Sequence, residues 1–227
     1  MSRIALVDVD GTLVDSNYQH ALAWYRAFRR YDIVLPIWEI HRHIGMGGDQ
    51  LVPAMAGEEV EQRYGDQLRA SHSEELEPML AEIAPVRDAH ELLVALTDSG
   101  FRVVLASSGK PEQVARFLDL IEGRTVAEQW TSSADVETTK PNPELLEVAL
   151  RKLRESSKPP ADVADVIVIG DSTWDCIAAG RLGVRSLALR TGGFAADELI
   201  EAGAEAVFDD LAGLAEALVG RVATERR

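Results

Sequence analysis

The chain has 227 residues, of which 46% are hydrophobic and 27% charged, and its formal net charge is −15 at pH 7. This length suffices for one sizeable core, or for a core domain with a small insert. The acidic balance argues against nucleic acids and anionic membranes as partners, because both bind basic patches. A single cysteine, Cys176, excludes an intrachain disulfide and is compatible with a reducing compartment.

The opening apolar run, IALV, is too short for a secretion signal. No window of the sequence approaches the roughly 20 apolar residues that a membrane span needs. We therefore expect a soluble cytoplasmic protein without a membrane partner.

Four short apolar runs predict buried strands, in chain order at 4–9, 101–108, 165–172 and 184–193. Amphipathic helical patterns accompany them at 88–100, 111–121 and 141–155, and the segments DELIEAGA and DDLAGLAEALV close the chain. This alternation predicts a Rossmann-like α/β fold, in which helices cover both faces of a parallel sheet. Ligands of such sheets bind beyond the carboxyl ends of the strands, where the polar residues of DVD, ASSG and IGDS occur.

Residues 16–85 interrupt this alternation with helix-like patterns and no β-like run. The simplest interpretation is an all-helical cap domain, 16–85, inserted into a discontinuous core domain made of 1–15 and 86–227. The stretch SSKPPAD (156–162) is predicted to be a loop within the core. Its lysine, Lys158, precedes a proline, but no helical pattern like that at 141–155 follows it.

Two aspartates, Asp8 and Asp10, end the first predicted strand, and Gly11 and Thr12 follow them directly. In a fully extended strand the two carboxylates would lie on the same face. A helix cap or a turn would account for one aspartate but does not require a second one two residues later. The pair therefore indicates a chemical role.

Four separated stretches, DVDGTLVDS, ASSG, TTKPNPEL and VIVIGDSTWD, follow one another along the chain. In type and order they resemble the four motifs of the haloacid dehalogenase superfamily. The resemblance extends from Asp8 to Asp175 and is to the phosphatase branch that inserts a helical cap after the first motif. It implies hydrolysis of a phosphate monoester of a small metabolite.

The resemblance implies that Asp8 attacks phosphorus and forms an aspartyl-phosphate, which divides one displacement into two easier steps. Asp10 would protonate the leaving oxygen and later take the proton of the attacking water. The dehalogenases of the superfamily lack this second aspartate. Lys140 would offset the repulsion between the nucleophile and the phosphate. The residues implied for phosphate binding are Gly11, Thr12, Ser107, Ser108 (through its backbone N–H) and Lys140.

The resemblance also implies Mg²⁺, which carboxylates hold while it keeps waters and binds substrate phosphate. Its ligands would be the side chains of Asp8 and Asp171 and the backbone carbonyl of Asp10. Asp175 would act through water or by orienting Lys140. The charges of these side chains also favour a bound cation. The four carboxylates would face and repel one another, and Lys140 alone does not balance their charge.

In the family, the cap meets the part of the substrate beyond the phosphate, and the loop HRHIGMGGDQ (41–50) is the candidate here. We expect Arg42 or His43 to contact an anionic or hydroxylated group and Met46 to supply an apolar wall. The glycines of this loop suit a lid that opens and closes. His20 resembles a histidine near the hinge of the related sugar-phosphate mutases.

Two other functions stay open: a phosphomutase or phosphotransferase acting on sugar phosphates, and a non-catalytic phosphate-binding module. The mutases carry a lysine and an arginine in the cap loop, whereas IGMGGD has neither. The phosphonate-cleaving branch needs a cap lysine, and 16–85 contains none. Whether the protein is a monomer or a homodimer also stays open, since four aromatic residues predict either a cap core or an interface: Trp24, Tyr25, Phe28 and Trp38.

Overall fold

The computed structural model describes residues 2–156 and 163–225, so Lys158 and the part of its predicted loop from 157 to 162 lie outside the described residues. The strands are β1 (Ser2–Val7), β2 (Phe101–Ala106), β3 (Gln129–Thr131), β4 (Val163–Gly170), β5 (Arg185–Leu189) and β6 (Ala206–Phe208). The helices are α1 (Asn17–Arg29), α2 (Ile37–Arg42), α3 (Gly48–Ala56), α4 (Glu58–Leu76), α5 (Ala89–Asp98), α6 (Pro111–Leu120), α7 (Glu144–Ser156), α8 (Thr173–Leu182), α9 (Ala196–Glu201) and α10 (Leu211–Glu225).

The six strands form one parallel sheet in the order β3-β2-β1-β4-β5-β6. The predicted parallel α/β fold is therefore confirmed. Strand β1 is central, and its last residue, Val7, pairs with Leu105 on one side and Ile169 on the other. The chain leaves β1 toward β2 first and returns to β4 on the opposite side later, and such a reversal opens a crevice at the carboxyl ends of the strands.

The two faces of the sheet bury separate hydrophobic clusters. Side chains alternate along β1, so that Ala5 and Val7 belong to the cluster beneath α5, α6 and α10. Ile4 and Leu6 point the other way, into the cluster beneath α7 and α8. Both faces are apolar, which explains why the strands read as continuous apolar runs in the sequence.

Helices α1 to α4 lie between β1 and β2 in the chain and enclose a hydrophobic cluster of their own. Trp24 and Phe28 are buried in this cluster and Tyr25 packs against it, whereas Trp38 is 64% exposed. Three of the four aromatic residues therefore serve the internal packing of the insert.

One helix begins later than its sequence pattern predicts. The side-chain oxygen of Asn142 accepts a hydrogen bond from the backbone N–H of Glu144 at 3.0 Å, so α7 begins at Glu144 and not at Pro141. Residues 140–143 are thereby left as a connection that leads Lys140 toward the sheet edge.

In the described residues, no helix is long and apolar enough to cross a membrane.

We predict that Phe28→Ala lowers the free energy of unfolding by about 3–5 kcal/mol, because a fully buried ring leaves a cavity among packed helices. Urea denaturation followed by circular dichroism measures the change. Val34→Ala is the control: Val34 is 70% exposed and should change stability by no more than about 0.5 kcal/mol. A loss below about 1 kcal/mol for Phe28→Ala would contradict a tightly packed insert.

Candidate active site

The site forms where the carboxyl ends of β1, β2 and β4 meet. Asp8 follows β1 directly, and its backbone N–H donates to the carbonyl of Ile169 in β4 at 2.8 Å. Asp171 follows β4, and Ser107 follows β2. Residues separated by most of the chain thus come together because their strands are neighbours.

Lys140 joins two of the acids in the interior. Its ammonium donates to Asp8 and, at 2.8 Å, to Asp175, and all three residues are at most 4% exposed. The two carboxylates raise the pKa of Lys140, outweighing the opposite effect of burial, so the lysine stays charged. This buried ion triad fixes the nucleophile candidate, Asp8, against the first turn of α8.

Two polar side chains orient Asp171. The Thr12 hydroxyl is within donating distance of Asp171 at 2.7 Å and of Asp8 at 3.1 Å, and it can serve one of them at a time. The side-chain amide of Asn17, at the start of α1, donates to the other oxygen of Asp171 at 2.8 Å. The sequence analysis missed Asn17, since an Asn after Asp15 and Ser16 reads as an ordinary helix start.

Gly11 turns the chain between these groups. Its φ of +81° lies in the left-handed region, and a Cβ there would be 2.4 Å from Asp171 Oδ2 and from the amide of Asn17. Only glycine fits this position.

Asp8, Asp171 and Asp175 offer oxygens that all lie within 4.8 Å of one another. Burial raises the pKa of Asp8 well above its ordinary value, an effect that Lys140 opposes and the neighbouring acids reinforce. Burial and then Asp175 raise the pKa of Asp171 to about 7. Three buried carboxylates with one ammonium carry excess negative charge, and all the donors are oxygens. This donor set fits a hard divalent cation such as Mg²⁺.

Asp10 does not share the environment of Asp8. Strand β1 ends at Val7, and the chain beyond it turns instead of staying extended, so the two carboxylates have different partners. Asp10 accepts hydrogen bonds from Ser107 at 2.7 Å and Gln113 at 3.1 Å, and His20 lies at 3.2 Å. The hydrogen bonds of His20 and Ser107 lower the pKa of Asp10 in spite of its burial.

Behind His20 lies a second histidine. His20 Nδ1 is 3.1 Å from Nε2 of His72, whose ring stacks on Trp24 with centroids 4.3 Å apart. Burial, with smaller effects of His20 and Lys110, lowers the pKa of His72 well below its ordinary value. Neither His72 nor Gln113 carried a sequence signal, because each is one of several polar residues in its helix.

A cavity of about 220 Å³ opens in front of Asp8 and Asp10, between the core and the helical insert. Lys140 and Ser108 line it from the core, and Met46 and His20 from the insert. The Ser108 hydroxyl is buried and has no hydrogen-bond partner in the part of the chain that the structure describes. It is therefore a free donor at the cavity surface.

Gly11, Thr12 and Ser107 are not among the residues that line this cavity. The hydroxyls of Thr12 and Ser107 bind the carboxylates of the site, and Ser107 also accepts a hydrogen bond from the Gly109 backbone at 2.9 Å. Both hydroxyls orient the acids here, and their contact with the phosphate stays a prediction.

Arg42 and His43 are not among the residues that line the cavity, and their contact with substrate stays a prediction. The Arg42 guanidinium pairs with Glu198 at 2.5 Å and lies over the ring of Phe194. His43 bonds to the carbonyl of Glu39 and stacks on Trp174. Through Glu198, Phe194 and Trp174 these two residues contact the core, so they belong to the interface between the insert and the core.

A family model described as haloacid dehalogenase-like hydrolase matches residues 5–189, which is most of the chain. The chain belongs to this family. The resemblance noted in the sequence motifs is thereby confirmed.

Relatives of this haloacid dehalogenase-like chain include a validoxylamine A 7'-phosphate phosphatase from Streptomyces hygroscopicus subsp. limoneus, 23% identical over 84% of this chain and 87% of the relative. A hydrolase structure from Pseudomonas syringae is similar with a TM-score of 0.84 at 29% identity, over 96% of this chain and 99% of that one. The fold also resembles that of CbbY from Rhodobacter sphaeroides in complex with phosphate, with a TM-score of 0.69 at 21% identity, over 94% and 96% of the two chains.

We predict that His72 makes the protein less stable as the pH falls below about 6.5, the usual pKa of histidine. The folded state keeps His72 neutral, whereas the unfolded chain takes up a proton there, so protonation favours unfolding. Parent and His72→Phe are compared by urea denaturation at pH 7.5 and 5.5. The parent should lose up to about 1.4 kcal/mol more than the variant per pH unit below the unfolded pKa. An equal difference between the two proteins at both pH values would contradict the assignment.

Proposed function

We propose that this chain is a Mg²⁺-dependent phosphatase that hydrolyses a phosphate monoester of a small metabolite through an aspartyl-phosphate on Asp8. One observation carries the proposal. Asp8 is held by a buried lysine at one end of a cavity, and Asp10 opens onto the same cavity from a separate hydrogen-bond network. A nucleophile and an acid–base group with distinct environments are what a two-step displacement requires.

Asp8 is suited to attack phosphorus because Lys140 opposes the rise in its pKa, which favours the carboxylate form, and fixes its orientation. The same ammonium reduces the repulsion between the carboxylate and an incoming anionic phosphate. Since Asp175 anchors Lys140 from the other side, the ammonium is positioned before substrate arrives. Attack by Asp8 breaks the bond between phosphorus and the leaving oxygen.

Asp10 is suited to proton transfer. Its protonated form would give a proton to the leaving oxygen, and the carboxylate would take one from the water that hydrolyses the aspartyl-phosphate. The lowered pKa keeps Asp10 ionised, which is the form that the second step needs. His20, Ser107 and Gln113 hold the carboxyl group in place for both.

We propose that the side chains of Asp8 and Asp171 and the backbone carbonyl of Asp10 would hold the Mg²⁺. The ion, when bound, would supply positive charge against the phosphate oxygens. The excess negative charge of the buried acids supports this assignment. Thr12 and Asn17 would keep Asp171 in a ligating orientation, and Asp175 would remain with Lys140.

We further propose that 16–85 act as the cap over a core of 1–15 and 86–227, with Met46 and His20 facing the leaving group. The cavity is small for a ligand site, which favours a small metabolite. The named activity of the Streptomyces relative, on a 7'-phosphate, also supports a phosphate ester.

Hydrolysis is favoured over mutase chemistry by the charges that the insert presents to the cavity, which Lys110 lines from the core side. No cap-loop residue in IGMGGD supplies a cation for a second phosphate. Arg69 of α4 lines the cavity, but its guanidinium is paired with Glu61 and Asp66 at 2.9 Å. A second phosphate on the substrate would find this cation already neutralised.

Asp8→Asn is expected to lower kcat by at least about 10³-fold, because the amide cannot attack phosphorus. Phosphate release from p-nitrophenyl phosphate with Mg²⁺ present measures the effect. The matched control is Asp15→Asn, which makes the same change at an exposed position of the same segment and should retain parental activity. Turnover by Asp8→Asn at the parental rate would exclude the mechanism.

Mg²⁺ is expected to raise the Tm of the parent protein by binding the folded state, with a gain of about 2.7 kcal/mol at one hundred times Kd. The Asp171→Asn variant should lose most of this shift, since it removes a proposed ligand. Thermal unfolding with Mg²⁺ or with EDTA measures both proteins. An equal shift in parent and variant would mean that the ion binds elsewhere.

A further inference from the structure

One residue of the insert contacts the backbone next to the catalytic lysine. The carboxylate of Asp49, in the first turn of α3, accepts the backbone N–H of Thr139 at 3.0 Å and the Thr139 hydroxyl at 2.5 Å. The same hydroxyl accepts a hydrogen bond from the backbone N–H of Gly47 at 3.0 Å. Thr139 is 4% exposed and directly precedes Lys140. Its N–H and hydroxyl are therefore both bound by the insert.

The glycines of the loop explain how this contact is reached. A Cβ on Gly47 would lie 2.3 Å from the Thr139 hydroxyl, and a Cβ on Gly45 would lie 2.5 Å from the Ser172 hydroxyl. Ser172 in turn bonds to Asp175 at 2.6 Å. The loop thus rests on both core segments that position Lys140. Its glycines serve this close approach as well as the pliability expected from the sequence.

Asp49 also lines the cavity, so the alternative role for this residue is direct contact with the substrate. Both of its carboxylate oxygens are already bound to Thr139, and one of them also accepts from the side chain of Gln50 at 2.9 Å. A carboxylate occupied in this way has little capacity left for a substrate hydroxyl. The geometry favours an action through Thr139.

We propose that Asp49 is a positioning residue that couples closure of the helical insert to the alignment of Lys140. With the insert seated, Asp49 and Gly47 fix Thr139, and Thr139 fixes the backbone from which the Lys140 ammonium reaches Asp8. When the insert lifts, Thr139 loses these bonds and Lys140 loses part of its alignment. The inference rests on the proposed phosphatase function.

The test compares Asp49→Ala and Thr139→Val with the parent enzyme, using acetyl phosphate and p-nitrophenyl phosphate as substrates. Misplaced catalytic groups cost up to about 100-fold in rate. We expect kcat to fall about 10- to 100-fold in each variant, equally for both substrates and with little change in KM. Thr139→Ser keeps both bonds and should stay within about threefold of the parent.

The double variant Asp49→Ala/Thr139→Val should be no slower than either single variant, because both remove the same contact. Glu198→Gln is the control. It breaks the ion pair with Arg42, another contact between insert and core that does not involve Thr139, and should leave kcat within about twofold.

Three kinetic results would overturn the proposal: a loss that differs strongly between the two substrates, which would indicate direct substrate contact; additive losses in the double variant; or an unchanged kcat in Asp49→Ala.

If the parent has no phosphatase activity, the proposed function fails, and amide hydrogen exchange tests the contact by itself. The Thr139 amide should then exchange at least about 10-fold faster in Asp49→Ala than in the parent. Equal exchange would overturn the coupling.

Discussion

The buried ammonium of Lys140 between Asp8 and Asp175 is the interaction on which the rest of the site depends. It joins the end of β1, the connection before α7 and the first turn of α8. Burying three charges is costly. Removing one partner leaves a buried charge without compensation and lowers the free energy of unfolding by about 3–5 kcal/mol. The triad therefore constrains where these three segments lie, and it exists only because the strand order brings them together.

The same triad explains why Asp8 and Asp10 are suited to different roles. Asp8 is bound by a lysine and surrounded by other carboxylates, whereas Asp10 is bound by Ser107, Gln113 and His20. Environments this different let two aspartates, two residues apart, serve as nucleophile and as acid–base group. The turn at Gly11, which only glycine permits, is the local feature that separates them.

The sequence predicted the parallel sheet, the all-helical character of the insert and the family, because strand runs and motifs are local signals. It also named the acids and the lysine that meet at the sheet edge. It did not find Asn17, Gln113 or His72, since each is one polar residue among several in its helix and acquires its role only through tertiary packing. Arg42 and His43, predicted to contact the substrate, lie against Phe194 and Trp174, and a local sequence pattern does not reveal such tertiary contacts. The hydroxyls of Thr12 and Ser107, predicted to bind phosphate, donate to buried carboxylates that only the folded chain brings within reach.

The covalent role of Asp8 can be measured most directly by rapid acid quench during turnover of a ³²P-labelled phosphate ester, followed by peptide mapping. Cleavage after Arg3 and Arg26 yields the peptide 4–26, which contains Asp8. The account predicts acid-stable label in this peptide in the parent and none when Asp8 is replaced by Asn. Rapid turnover with no protein-bound label at any quench time, or label in a peptide from another part of the chain, would contradict it.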